Sequence, residues 1–285
     1  MKKSIAFLFA ALLCVSLVGC RDKNGADPQP LDPIETAGVP YEKKPLETVA
    51  DRDFEFDIYT TFAAVSAYKG SAESVTVPSE INGKPVLSVG DYSFAYNTSV
   101  KRVTVPEGVR EIGKGAFDEC TSLESISLPS TLETVLDYAF RMTALDGELA
   151  LPKGVARIGT YAFYLTKIEK ITIPDGVEKI ERYAFYGIDT LKSVTLGIRV
   201  TEIEERAFGG CTALCEFNVN DRLSVIGNYS FNGCAALESI TLGSIKTLGE
   251  GAFSSCGRLT VYTSNGKTAE LIGKAGYKCE LTEAK

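Results

Sequence analysis

Residues 112–129 read Ile112-Gly113-Lys114-Gly115-Ala116-Phe117-Asp118-Glu119-Cys120-Thr121-Ser122-Leu123-Glu124-Ser125-Ile126-Ser127-Leu128-Pro129. Ile126-Ser127-Leu128 alternates with period two, which predicts a short β-strand with one face in the core. Pro129 stops it. The Ala116-Phe117 pair is the key to the rest of the chain, because phenylalanine recurs at Phe94, Phe117, Phe140, Phe163, Phe185, Phe208, Phe231 and Phe253. The successive spacings are 23, 23, 23, 22, 23, 23 and 22 residues. A small residue precedes each Phe: Ser93, Ala116, Ala139, Ala162, Ala184, Ala207, Ser230 or Ala252. Five residues before it stands an aliphatic from Val89 to Leu248, and eight before it another, from Val86 to Ile245. The predicted strands end at Pro106, Pro129, Pro152 and Pro174, then at the turn formers Gly197, Asn220 and Gly243.

A repeat of this period specifies a solenoid. One coil cannot bury its own apolar face, whereas a stack of coils buries a continuous one. At about 4.8 Å between neighbouring strands, eight coils give a sheet on the order of 35 Å long.

The run Ile112 to Leu123 resembles the BspA-like, or treponeme-type, leucine-rich repeat, whose pattern runs I-x-x-x-A-F-x-x-C-x-x-L-x-x-I-x-L-P. Ile226 to Leu237 is nearly as close, with Ser230 in place of Ala. The resemblance covers about Val86 to Leu259. Departures fall in the third and fourth repeats, where Leu145 and Ile168 sit one residue early and Thr143 and Thr166 replace Cys. The expected fold is a mainly β (α+β) repeat protein, a leucine-rich-repeat solenoid of about eight 22–23-residue coils over residues 86–262. Terminal coils need covering. Residues 51–85, with the alternating Phe54-Glu55-Phe56-Asp57-Ile58, predict an N-terminal β cap, and residues 263–285 a C-terminal cap with a helix and a last strand.

Residues 1–19 read as an export signal: Lys2 and Lys3, then an apolar run from Ile5 to Val18 that is too short to span a bilayer. Leu17-Val18-Gly19-Cys20 looks like the lipobox of bacterial lipoproteins, which implies cleavage before Cys20 and lipidation of Cys20. A soluble secretory signal with an incidental cysteine is the alternative. Cleavage would remove Lys2 and Lys3 and no acid, leaving 28 basic against 37 acidic residues, a net −9. A lipid anchor, not charge, would then hold the chain at a membrane. Residues 20–50 carry Pro28, Pro30, Pro33, Pro40 and Pro45 in a polar setting, the composition of a stiff tether.

Composition narrows the function. The chain has 285 residues, mean hydropathy +0.04, no His and no Trp. Without histidine there is no Ser-His-Asp or Cys-His nucleophile and no histidine metal ligand. The net charge of −7 argues against a nucleic-acid partner. Cys120, Cys211, Cys234 and Cys256 recur three residues after the repeat Phe. The period suits a row of buried thiols, with a disulfide or a metal site as less economical readings. Cys215 and Cys279 lie outside that row. Glu124, Glu169, Glu216 and Glu238 fall on strands among Lys101, Lys170 and Lys192, a pattern that suits a solvated face better than an acid–base pair. We therefore expect no enzyme, no catalytic residue, no metal and no cofactor.

Two surface rows are candidates for binding. Thr104, Ser127, Ala150, Thr172, Thr195, Asn218 and Thr241 line the strand face, although Thr and Ser also simply suit a solvated strand. Tyr92, Tyr138, Tyr161, Tyr183 and Tyr229 stand two before the repeat Phe, and form either a protein-binding ladder or a cover over the core edge. The resembled family implies adhesion to host or neighbouring-cell proteins. The expectation is a cell-surface lipoprotein, anchored in the outer membrane and facing outward, with a protein ligand. A glycan-binding accessory lipoprotein in polysaccharide uptake and a periplasm-facing scaffold are the alternatives.

Overall fold

The computed structural model describes residues 44–283. The leader, Cys20 and most of the tether lie outside the described residues. The chain begins with an antiparallel meander, β1 (Glu47–Asp51), β2 (Phe54–Ile58) and β3 (Ala63–Tyr68). Phe54, Phe56 and Ile58 alternate into the core as the pattern requires. β1 corrects one boundary: the first strand starts four residues inside the stretch read as tether, because Val49 packs against the core and the whole strand pairs with β2. β4 (Ser74–Thr76) follows, then β5 (Glu80–Ile81) turns through Asn82-Gly83, both at positive φ, into β6 (Lys84–Val89). Asn-Gly is the pair that suits such a two-residue hairpin turn.

From β6 onward each coil lays down two parallel strands. The expected I-x-L segment gives Arg102–Thr104, Ser125–Ser127, Asp146–Leu149 and their successors. A second ladder, not anticipated, comes from the aliphatic five before each Phe, in two-residue strands such as Glu111–Ile112, Thr134–Val135 and Arg157–Ile158. Two residues carry no detectable alternation, so period two gave no signal there. β3 pairs in parallel with β6 at the head of that ladder, and β4 pairs with Arg102–Thr104 at the head of the other. The described residues thus make nine coils, one more than the phenylalanine count, the first built from β3 and β4.

The third side of each coil holds the phenylalanine. Here alternate N–H groups point to the next coil: Gly115 N to Asp137 O (2.8 Å), Phe117 N to Ala139 O (2.8 Å) and Glu119 N to Arg141 O (2.8 Å). The N–H groups between them close tight turns within the coil, as from Asp118 N to Gly115 O (2.9 Å). This alternation requires positive φ two residues before and two after each Phe. In the Phe117 coil these are Gly115 (58°) and Glu119 (56°); in the Phe163 coil, Tyr161 (59°) and Leu165 (54°). A side chain in that conformation costs about 1 kcal/mol, which glycine avoids.

The repeat Phe rings form one buried column, with centroids 4.8 Å apart from Phe94 to Phe117 and 5.3 Å from Phe117 to Phe140 and from Phe140 to Phe163. Tyr68 stacks on Phe94 at 4.9 Å and closes the column at one end. Tyr277 meets Phe253 edge-on at 5.5 Å and closes it at the other. The C-terminal cap carries the expected helix, α1 (Gly266–Lys274), whose first turn is capped by the Asn265 side chain accepting from Thr268 N at 3.0 Å, and then the strand Cys279–Leu281.

The four row cysteines are buried, and all six described cysteines are free thiols. Each row thiol donates to a carbonyl of the preceding coil: Cys120 to Phe94 O (3.0 Å), Cys211 to Phe185 O (3.1 Å), Cys234 to Phe208 O (3.3 Å) and Cys256 to Phe231 O (3.0 Å). Thr143 and Thr166 take the same place but bond within their own coil, to Phe140 O (2.9 Å) and Phe163 O (3.0 Å). Burial pushes the Cys120 and Cys211 thiols up to about 12, so they stay protonated and unreactive at neutral pH.

Two predictions follow from this packing. Phe163 is fully buried between two neighbouring rings, so Phe163→Ala should cost about 3–5 kcal/mol in urea unfolding, and a near-neutral result would mean the column does not hold the coils. In the chain from residue 20 carrying Cys20→Ser, a thiol reagent at pH 8 should label exposed Cys215 first and half-buried Cys279 next. The four row cysteines should react only after denaturation.

Candidate functional site

The turn side of the middle coils gathers the predicted tyrosines. Tyr138 stacks on Tyr161 with centroids 5.2 Å apart and planes within 7°, and Tyr161 on Tyr183 at 4.6 Å and 6°. The one-residue-per-coil period puts these rings in register, and the positive φ at their position turns them outward from the Phe column. Tyr164 and Tyr186, one residue after the Phe, form a second stack at 5.5 Å and 8°. The two stacks lean on each other through Tyr161–Tyr164 (5.4 Å, 59°) and Tyr183–Tyr186 (5.4 Å, 60°). The result is a cluster of five half-buried rings. Burial, followed by the neighbouring Tyr183 and Tyr138, holds the Tyr161 phenol well above its usual value, and burial also raises the Tyr164 and Tyr183 phenols.

Cations extend the stack. The Arg206 guanidinium, at the same offset as the tyrosines, lies 6.0 Å from the Tyr183 ring and 5.0 Å from Tyr229, so it joins Tyr229 to the column. Lys114 and Arg141 each sit 5.8 Å from the Tyr138 ring at the other end. Such contacts contribute roughly 0.5–1 kcal/mol each at exposed sites. Arg141 is fixed there by a fork on buried Asp118, Nε to Oδ1 at 2.6 Å and Nη2 to Oδ2 at 2.9 Å, with Glu119 Oε1 also 2.9 Å from Nη2. Arg141, Arg206, Met142 and Leu165 escaped the sequence reading, although their offsets from the Phe place them beside the tyrosines.

Tyr92 is not brought into the cluster. The next coil has Gly115 at the tyrosine position, and the Tyr92 ring folds over it into the space a Cβ would need. Tyr229 folds over Gly251 in the same way, and its hydroxyl donates to Glu250 Oε1 at 2.9 Å. The predicted row of five is therefore a contiguous group of three, one member attached through Arg206, and one apart.

The strand face is solvated along its length, with Thr104, Ser127, Ala150, Thr172, Asn218 and Thr241 exposed and Thr195 half-buried. Three of its carboxylates are engaged in coil-to-coil ion pairs, Lys101–Glu73 (2.9 Å), Lys192–Glu169 (2.9 Å) and Arg258–Glu238 (3.4 Å). Exposed pairs of this kind contribute little. Among the described residues no group of three or more His, Cys, Asp or Glu side chains is placed to hold a metal ion.

The family model for the BspA type leucine rich repeat region matches in six copies, over residues 66–192 and 178–285. The crystal structure of the T. pallidum leucine-rich repeat protein TpLRR is similar, with 27% identity, a TM-score of 0.61, and coverage of 84% of this chain and 100% of that one. A leucine-rich repeat protein from Bacteroides ovatus shares the fold at 22% identity and a TM-score of 0.55, covering 75% of this chain and 70% of that one. No curated protein matches significantly. Six copies of the repeat model over most of the solenoid, joined to the coil geometry above, make the chain a member of the BspA-type leucine-rich-repeat family, whose solenoid is a protein-interaction fold.

Proposed function

We propose that this chain is an exported lipoprotein without enzymatic activity that binds a protein of a host or a neighbouring cell through its turn side. The observation that carries the reading is the cluster of Tyr138, Tyr161, Tyr183, Tyr164 and Tyr186. Tyrosine gives a large, stiff, amphipathic contact area at low entropic cost, the property that protein interfaces exploit. The same side adds Met142 and Leu165, 36% and 38% exposed. The lipobox-like Leu17-Val18-Gly19-Cys20 and the proline-rich stretch after it support anchoring of the solenoid at a distance from an outer membrane, facing outward.

Two measurements test this reading. In a screen of immobilised host-matrix and bacterial surface proteins, the wild-type chain should retain a partner that the Tyr138→Ala/Tyr161→Ala/Tyr183→Ala variant binds at least about tenfold more weakly. Its circular dichroism should match wild type, and unchanged affinity would remove the tyrosine cluster from the interface. Protease treatment of intact cells should release the solenoid by cleavage between residues 21 and 43 while a periplasmic control stays whole. Release only after lysis would place the protein inside the envelope.

A further inference from the structure

The long-strand sheet is not continuous. Ser125–Ser127 closes a three-stranded sheet with β4 and Arg102–Thr104, and Asp146–Leu149 opens the next one, with no ladder between them and a single backbone bond at the start, from Asp146 N to Glu124 O (3.3 Å); a second break falls between Glu216–Asn218 and Ser239–Thr241. In four coils the residue after the I-x-L centre donates to the following coil: Val105 N to Ser127 O (2.9 Å), Ile173 N to Thr195 O (2.8 Å), Leu196 N to Asn218 O (2.9 Å) and Leu242 N to Tyr262 O (2.8 Å). Among the described residues Leu128 N makes no such bond, and neither do Leu151 N and Val219 N. The cause is in the sequence. Leu145 arrives one residue early, Gly147 after it has φ +64°, and the register to the next strand shifts at that point: Gly147 pairs with Ile168 and Glu148 with Lys170, which leaves Glu169 as the bulged residue. The bulge lets Asp146–Leu149 follow the next strand and leave the previous one.

The parting opens a hollow of about 340 Å³ between the two strands. Ile126, Leu128, Leu145 and Leu149 supply its apolar lining, and Glu124, Asp146 and Glu148 its rim. Lys170 Nζ stands 3.5 Å from Glu148, an exposed pair, and no ion pair engages Glu124 or Asp146 among the described residues. An open strand edge with apolar side chains beneath it accepts an extended peptide by main-chain pairing. Three carboxylates on the rim select its charge.

We infer that this parting is a second protein-binding site, and that its occupant is an extended basic segment of a partner protein, with apolar residues alternating with Lys or Arg. The guest backbone pairs with the free edge at Ile126 and Leu128, its apolar side chains enter the hollow, and its cations meet Glu124, Asp146 and Glu148. The site is independent of the tyrosine cluster, which occupies a different side of the coil.

The test uses the chain from residue 20 with Cys20→Ser and a fluorescent heptapeptide of alternating lysine and valine, read by anisotropy at physiological salt. The peptide should bind, and hydrogen exchange at the amides of residues 126–128 should slow in its presence. Glu124→Gln/Asp146→Asn/Glu148→Gln should weaken it about tenfold, as loss of three modest charge contacts implies. A peptide methylated on alternate backbone nitrogens should not bind, and Tyr138→Ala/Tyr161→Ala/Tyr183→Ala should bind as wild type. Equal binding of the methylated peptide would reduce the effect to charge adsorption and overturn the inference. So would protection of the same amides by concentration-dependent dimers without peptide. Neither result touches the tyrosine reading, because the tyrosine variant retains this site intact.

Discussion

The backbone hydrogen bonds between coils on the phenylalanine side constrain everything else. Every second N–H from two residues before the Phe to two after it is committed to the next coil, and the N–H groups between are committed to turns within the coil. That pattern fixes each coil's path over this segment, so a residue at a given offset always lies beside its counterpart one coil away. The Phe column, the thiol row and the tyrosine stack are three consequences of one register. Aromatic stacking at 4.8–5.6 Å between successive repeat Phe rings is near the spacing that strand pairing imposes, so ring packing and ladder reinforce each other.

This constraint explains which features were legible in the sequence and which were not. The Phe, the small residue before it and the aliphatics five and eight before it occupy closed space, where only one size of side chain fits, so they repeat without exception and declare the solenoid. Cys120 and its counterparts were legible as core for the same reason. The two-residue strands were not, since backbone pairing leaves no side-chain alternation in so short a segment. The first coil was hidden as well. It substitutes Tyr68 for the Phe, and the step from Tyr68 to Phe94 is 26 residues, so it breaks the 23-residue count while still stacking on Phe94. The tyrosine row was half legible: its offset was plain, but Gly115 and Arg206 interrupt it with opposite results. A missing side chain lets Tyr92 collapse onto backbone, whereas a guanidinium continues the stack to Tyr229.

The irregularity in the third repeat has a similar logic. A displaced strand segment is accommodated by a register shift to the next coil, here at Gly147, whose positive φ suits glycine. The shift stays on the strand side, where Glu169 bulges opposite Gly147 and Glu148, and Phe117, Phe140 and Phe163 stay evenly stacked at 5.3 Å past it. The sheet parts beside this shift, and the core does not.

Side-chain choice at the two positive-φ positions bears on function. Glycine fills them at Gly187, Gly210 and Gly233 on one side of the Phe and at Gly115 and Gly251 on the other, where backbone comfort decides. In the Phe140 and Phe163 coils the same positions carry Tyr138, Met142, Tyr161 and Leu165, each at positive φ and each leaving apolar surface in contact with water. Both effects oppose folding, by about 1 kcal/mol per strained residue for the first. Ring stacking in the Tyr138–Tyr161–Tyr183 column recovers part of that cost, which accounts for the tyrosines as a group. It does not account for Met142 and Leu165, which take part in no ring stack. Local rules are broken together, on one side and in adjacent coils, and a surface kept against both backbone strain and solvation is the kind that contact with another molecule would repay.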